Sequence, residues 1–301
     1  MAAFTSQSCT DEGVTVTAEQ SITDNYNSHI SFKVEGFQVE DGQQPDFGSI
    51  SVLVDGKEDL NLDAGFYDGI ITGEDGMPVR AFDGSSALDE NGDMIYYYVQ
   101  EDGSMEFDIN MNNYSEKGFF IGKDIQVELK DLGTVDKAEF TKTLEGTWSF
   151  EWTLGGADTA KTYTLNQPLG DSGATIQTVE ISPISVYAEY NFPIQKETIT
   201  GENEDGTTSE STTFKEAPPL MGIKLKDGTV IKNMYMGGGM IGYQNNSSDD
   251  YVYAYATDRI IDPDQIAYFL FINDDAPIGE QGMTEDNFYE VAVGENQQGN
   301  R

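Results

Sequence analysis

Short runs in which apolar and polar residues alternate recur along the whole chain, and they predict β-strands. Met105, Phe107 and Ile109 alternate with Glu106 and Asp108, and Ile125, Val127 and Leu129 alternate with Gln126 and Glu128. The clearest run sets Trp148, Phe150, Trp152 and Leu154 on one face and Thr147, Ser149, Glu151 and Thr153 on the other. Successive side chains of a strand point to opposite faces, so each run offers one face to a core and one to water. Further strands are predicted over residues 30–39, 50–54, 94–99, 163–165, 176–181 and 184–192. Residues 222–226 and 229–232 read as a hairpin across Asp227-Gly228, and Tyr251, Tyr253 and Tyr255 alternate with Val252, Ala254 and Ala256. The unbroken apolar run 266–272 predicts a central strand covered on both sides. No window carries a helical period over several turns. At most, Asp262 caps and Pro263 opens a single helical turn.

The punctuation agrees. Asp55-Gly56, Asp68-Gly69, Asp75-Gly76, Asp83-Gly84, Asn91-Gly92, Asp102-Gly103 and Asp227-Gly228 are all Asx-Gly pairs, which accept the positive φ of tight hairpins. Gly155-Gly156-Ala157-Asp158 reads as a break, and residues 200–213, without one apolar member, read as an exposed, mobile loop or hairpin tip. The fold class expected is all-β: two tandem immunoglobulin-like antiparallel β-sandwich domains, an N-terminal one over residues 10–155 and a C-terminal one over 156–297. The two halves show no close sequence repeat.

Charge narrows the function classes. The 301 residues hold 16 Lys and Arg against 54 Asp and Glu, a formal net charge of −38, with one His and one Cys. So acidic a chain repels phosphates, so no nucleic-acid partner is expected. One His excludes sites built on several imidazoles, and one Cys excludes a disulfide within the chain. Cys9 reads as an incidental thiol, and so few Cys suit an extracytoplasmic bacterial protein while leaving the cytoplasm open as well. No apolar run approaches the ~18 residues of a membrane span.

The candidate chemistry is sparse. Asp89, Asn91 and Asp93 place oxygen ligands at alternate positions, like the opening of a calcium loop, but Met94 stands where the required glycine belongs. A polar turn is the reading taken there, and no metal or other cofactor is expected. His29 sits at the entry to a strand with no nucleophile elbow anywhere in the chain, so no enzyme is expected. Gly237-Gly238-Gly239 lacks the residues of a phosphate cradle and reads as a bend. Tyr96, Tyr98, Tyr251, Tyr253 and Tyr255 are the candidates for a ligand-stacking face, because tyrosine joins a flat apolar ring to a hydroxyl. Ordinary sandwich packing explains them as directly.

Several segments resemble a known family, the extracytoplasmic region of uncharacterised anti-sigma-factor-like membrane proteins of Gram-positive bacteria. Gly13-Val14-Thr15-Val16-Thr17, Ser21-Ile22-Thr23-Asp24 and Ile30-Ser31-Phe32-Lys33-Val34 resemble its first strand pair. Gly146-Thr147-Trp148-Ser149-Phe150 is similar to the strand closing its first domain. Residues 179–186 resemble the opening of its second domain, and residues 261–266 its closing turn. The resemblance implies a non-enzymatic sensing or scaffolding ectodomain of a membrane-bound sigma-factor regulator, displayed at the cell surface. It would be tethered by a membrane segment outside this chain and would bind an envelope ligand or protein. A cell-surface adhesin or carbohydrate-binding module is the alternative.

Overall fold

A computed structural model of the chain describes residues 4–40, 43–58, 61–68, 70–72, 78–81, 96–156, 160–202, 208–245, 247–273 and 284–294. Among these residues the chain is strand, turn and two single turns of 3-10 helix, with no α-helix. It divides into two compact units, residues 1–160 and 161–301.

The first unit contains β1 (Gln7–Asp11), β2 (Val14–Thr23), β3 (Asn27–Glu35), β4 (Gln44–Val54), β5 (Asn61–Phe66), β6 (Ile70–Thr72), β7 (Pro78–Ala81), β8 (Met105–Asn112), β9 (Asp124–Asp136) and β10 (Glu139–Thr153). One sheet runs β1-β2-β3-β8-β5 and the other β10-β9-β4, while β6 and β7 pair separately. All pairings are antiparallel. The two larger sheets enclose one core: Val16, Phe32, Phe107 and Ile109 from the first meet Val52, Val127, Leu129 and Trp148 from the second. Strict alternation made this possible, and β8 is buried at every odd position from Met105 to Met111. Trp148 is wholly buried, and its indole N–H donates to Val14 O at 3.1 Å. Phe150 and Leu154 are buried beside it, whereas Trp152 is half-buried, its ring against Phe4 and its N–H on Ser21 Oγ.

The second unit contains β11 (Lys161–Pro168), β12 (Thr175–Ile181), β13 (Ser185–Asn191), β14 (Lys196–Glu202), β15 (Thr208–Phe214), β16 (Leu220–Leu225), β17 (Val230–Ile231), β18 (Tyr235–Tyr243), β19 (Asp250–Thr257), β20 (Ile266–Ile272) and β21 (Phe288–Ala292). Its sheets run β11-β12-β13-β19-β18 and β17-β16-β20-β21, with β14 and β15 paired as a separate ribbon. Position for position these orders match those of the first unit: β11, β12, β13, β19 and β18 stand as β1, β2, β3, β8 and β5 do, and β21, β20 and β16 as β10, β9 and β4 do. The second core draws Val179, Tyr190, Tyr251 and Tyr255 from one sheet and Leu220, Ile223, Phe269 and Phe271 from the other.

Turn chemistry sets several hairpins. Asp55 and Gly56 both take positive φ (49° and 74°) between Val54 and Lys57, which exchange two backbone hydrogen bonds. The β9–β10 turn reaches the same shape with Lys137 and Ala138 (48° and 68°), without glycine.

Three expectations are corrected and one left between alternatives is resolved. Residues 96–98 form no strand, and the Tyr97 amide donates instead to Asp68 O. Gly237-Gly238-Gly239 lies inside β18, absorbed by two register shifts rather than by a bend. Of the loop and the hairpin tip expected over 200–213, the described residues 200–202 and 208–213 show the hairpin, as the paired ribbon β14–β15. The 266–272 strand is central, but Tyr268 leaves one face partly in water.

Candidate functional site

A cluster of half-buried titratable groups lies on the outer face of the first unit's five-stranded sheet. On β3, apolar Ile30, Phe32 and Val34 point into the core, so His29, Ser31 and Lys33 point the other way. On β8 the same parity sends Glu106, Asp108 and Asn110 outward. The register sets His29 opposite Asn110, Ser31 opposite Asp108 and Lys33 opposite Glu106. On the far side β5 sets Asp63 opposite Asn110 and Gly65 opposite Asp108. Neighbours on one face of a sheet lie within side-chain reach, so this pairing builds a continuous polar row.

The row is hydrogen-bonded along its length. His29 Nδ1 lies 2.7 Å from Asn110 Oδ1. His29 Nε2 faces Asp108 Oδ1 at 3.9 Å. Ser31 Oγ donates to Glu106 Oε1 at 2.9 Å, and Gln100 Nε2 donates to Glu106 Oε2 at 3.3 Å. Lys33 Nζ closes the row on Asp102 Oδ2 at 2.8 Å, which holds the Asp102 carboxyl well below the usual carboxylate range.

Asp108 is the unusual member. Its Oδ1 is buried and has no hydrogen-bond partner among the described residues. Burial pushes its carboxyl up to about 6; the His29 imidazole opposes the shift and the Glu106 charge adds to it. The row therefore holds a carboxyl whose charge changes just below neutrality, next to the chain's single imidazole. Its members are hydrogen-bond donors and acceptors held in fixed register, an arrangement suited to recognising a polar ligand or a proton. Ser31 is engaged by a carboxylate rather than by the imidazole.

The tyrosine candidates fall in three places. Tyr251, Tyr253 and Tyr255 all face the second core and are buried, at 2%, 6% and 0% exposure. The Tyr255 hydroxyl donates to Leu220 O, and Tyr253 reaches Met221 Sδ at 3.8 Å. Tyr98 is buried against the first core, its phenol pushed up to about 12 chiefly by desolvation. Tyr96 stacks on Tyr98 at 6.3 Å and is 40% exposed, so of the five it is the one with a free face. Asp89, Asn91 and Asp93 lie outside the described residues. Among the described residues no group of three or more His, Cys, Asp or Glu side chains is placed to hold a metal ion, and no helix is long and apolar enough to cross a membrane.

The sequence reading passed over the polar row because its partners come from distant segments, His29 and Asn110 being 81 residues apart. The available signal was the parity of β3, where a His, a Ser and a Lys occupy alternate positions between core residues.

No family model matches the chain, and no curated protein matches it. It is similar to a solved structure described as "the crystal structure of the conserved domain protein from Bacillus anthracis", at 12% identity and a TM-score of 0.38, covering 90% of this chain and 78% of that one. A likeness of that degree carries no functional argument.

Proposed function

We propose that this chain is a non-enzymatic binding module working outside the membrane, a sensing or scaffolding ectodomain of the kind its resemblance to sigma-factor regulators implies. The observation that carries the reading is the polar row on the outer face of a sandwich, in which His29 bonds Asn110 and Ser31 bonds Glu106 across strands around the buried Asp108. Such a row offers fixed donors and acceptors to a ligand, and Asp108 gives it a charge that responds to its surroundings. The immunoglobulin-like character of each unit belongs to the same proposal. If β2, β3, β4, β5, β8, β9 and β10 are lettered A to G, the sheets read A-B-E-D and G-F-C, and the second unit repeats the order. Folds of this kind serve many functions, so the strand order supports the reading only through the row it positions.

The test has two arms. Protease applied to intact cells expressing the native gene should cleave the protein; full protection until lysis would end the extracytoplasmic reading. The chain's single imidazole gives one set of His ring signals, and envelope extract added to purified protein should shift them in wild type but not in Asn110→Ala.

A second reading, a surface adhesin or carbohydrate-binding module, is favoured by one observation. Tyr96 and Tyr67 expose 40% and 38% of their surface on the first unit, and sugar rings stack on such faces. Binding to an oligosaccharide array that is lost in Tyr96→Ala would select it.

A further inference from the structure

We infer that the free edge of β18, in the second unit, is a docking edge for an extended, basic peptide strand. β18 ends the order β11-β12-β13-β19-β18, and no strand among the described residues pairs with its other side. A bare edge invites another chain, and proteins blunt such edges with charge, proline or brevity. The other sheet ends follow that rule: Asp11 on β1, Asp63 on β5, Asp46 on β4, Lys142 on β10, Lys161 on β11 and Glu290 on β21, while β17 is two residues long. β18 does not. Its nine residues, Tyr-Met-Gly-Gly-Gly-Met-Ile-Gly-Tyr, contain no charge and no proline, in a chain holding 54 acids.

The geometry narrows the edge to its second half. Two register shifts distort β18 between Tyr235 and Gly239, but Gly239 through Tyr243 pair regularly with Tyr255 through Tyr251. Gly239 is required by the sheet itself, since a Cβ there would stand 2.1 Å from Ala254 O. Gly242 is different: with φ +138° it leaves open space where a side chain would be, so the backbone can be closely approached. Between them Ile241 is 45% exposed, an apolar side chain beside the free edge. A strand added here would gain main-chain hydrogen bonds along Gly239–Tyr243 and would pack an apolar residue against Ile241.

Charge selects the occupant. The turn that follows β18 carries exposed Asp249, β19 opens on exposed Asp250 at the Tyr243 end, and the chain as a whole is at −38. That field draws in a segment flanked by lysine or arginine and repels a second copy of this chain. The inference stands apart from the polar row of the first unit, and the failure of either leaves the other intact.

The experiment uses the full chain and two synthetic probes. Each is a seven-residue alternation of valine and threonine, one with two lysines at each end and the other with two glutamates. The lysine-flanked peptide should bind at least tenfold more tightly, weaken as salt rises, and protect the amides of residues 239–243 from hydrogen exchange. Ile241→Lys should lower its affinity at least tenfold without changing the melting temperature, because that side chain is nearly half exposed. Asp250→Asn, an exposed change at the start of β19 that keeps the β18 sequence intact, should lower it by a smaller factor. Equal binding of the two probes, protection confined to another edge, or undiminished affinity in Ile241→Lys would each overturn the proposal. So would protection of 239–243 that grows with protein concentration in the absence of peptide, which would make a second copy the occupant.

Discussion

The two units share a strand order but fill their cores with different chemistry. The first packs phenylalanine, methionine and tryptophan: Phe47 lies edge-on to Phe107 at 4.8 Å and to Trp148 at 5.8 Å. Its one indole bond into the core region runs from Trp148 to Val14 O, which joins β10 to β2 across the sandwich. The second packs tyrosines, and their hydroxyls need acceptors. Tyr163 donates to Pro263 O, Tyr190 to Pro218 O and Tyr255 to Leu220 O. Pro218 lies in the segment leading into β16 and Leu220 is the first residue of that strand, so the aromatic core itself ties the entry to β16 down. One arrangement of sheets is thus compatible with two kinds of filling, with most of the core hydroxyls answered and that of Tyr251 left without a partner among the described residues.

Both tryptophans, Trp148 and Trp152, belong to the first unit, so indole fluorescence follows that unit and tyrosine near-ultraviolet dichroism is weighted to the second. The largest expected effect is Trp148→Ala, a loss of about 3–5 kcal/mol from a filled core site. It should appear in the Trp152 fluorescence transition; an equal shift in the tyrosine signal would show that the two units do not unfold separately.

The next effect depends on pH. The Asp108 carboxyl is pushed from 3.8 to about 6 in the folded state, so folding takes up protons between those values. Its contribution to stability therefore falls as pH rises through that window. Asp108→Asn should gain about 3 kcal/mol above neutrality and little below pH 4. A gain independent of pH would contradict the assignment.

Tyr255→Phe tests the second core. Leaving Leu220 O without its donor should cost about 1–2 kcal/mol, read by the tyrosine signal alone. A neutral result would mean that the hydroxyls are passengers and that the two cores differ less than their chemistry suggests. The smallest effect is Ala138→Gly, which relieves a left-handed residue in the β9–β10 turn and should stabilise the first unit by about 0.5 kcal/mol.

The period-2 runs were legible because a sandwich strand has one wet face and one dry one. The alternations around Phe107, Val127 and Trp148 reappear as β8, β9 and β10. What escaped had a physical cause in each case. The Lys137-Ala138 turn carries no glycine, so nothing in its composition announces positive φ. Tyr96-Tyr97-Tyr98 has strong strand propensity, yet without alternation no sheet face claims it. Tyr251, Tyr253 and Tyr255 were legible as one face of one strand, but whether that face meets water or a core depends on the opposing sheet. The polar row was the least legible part, because it exists only once β3 and β8 are brought side by side.

The ribbon β14–β15 interrupts the second unit between β13 and β16, yet its base is already clamped. Lys215 N donates to Gln195 O, and Phe214 rests against Tyr243 at 5.7 Å. Beyond that clamp the described side chains are exposed and reach neither core. Chain length there is nearly free: doubling the excursion adds only about 0.6 kcal/mol of closure entropy. It is therefore a natural place for related chains to lengthen, shorten or acquire an inserted segment, while the sheets on either side keep their register.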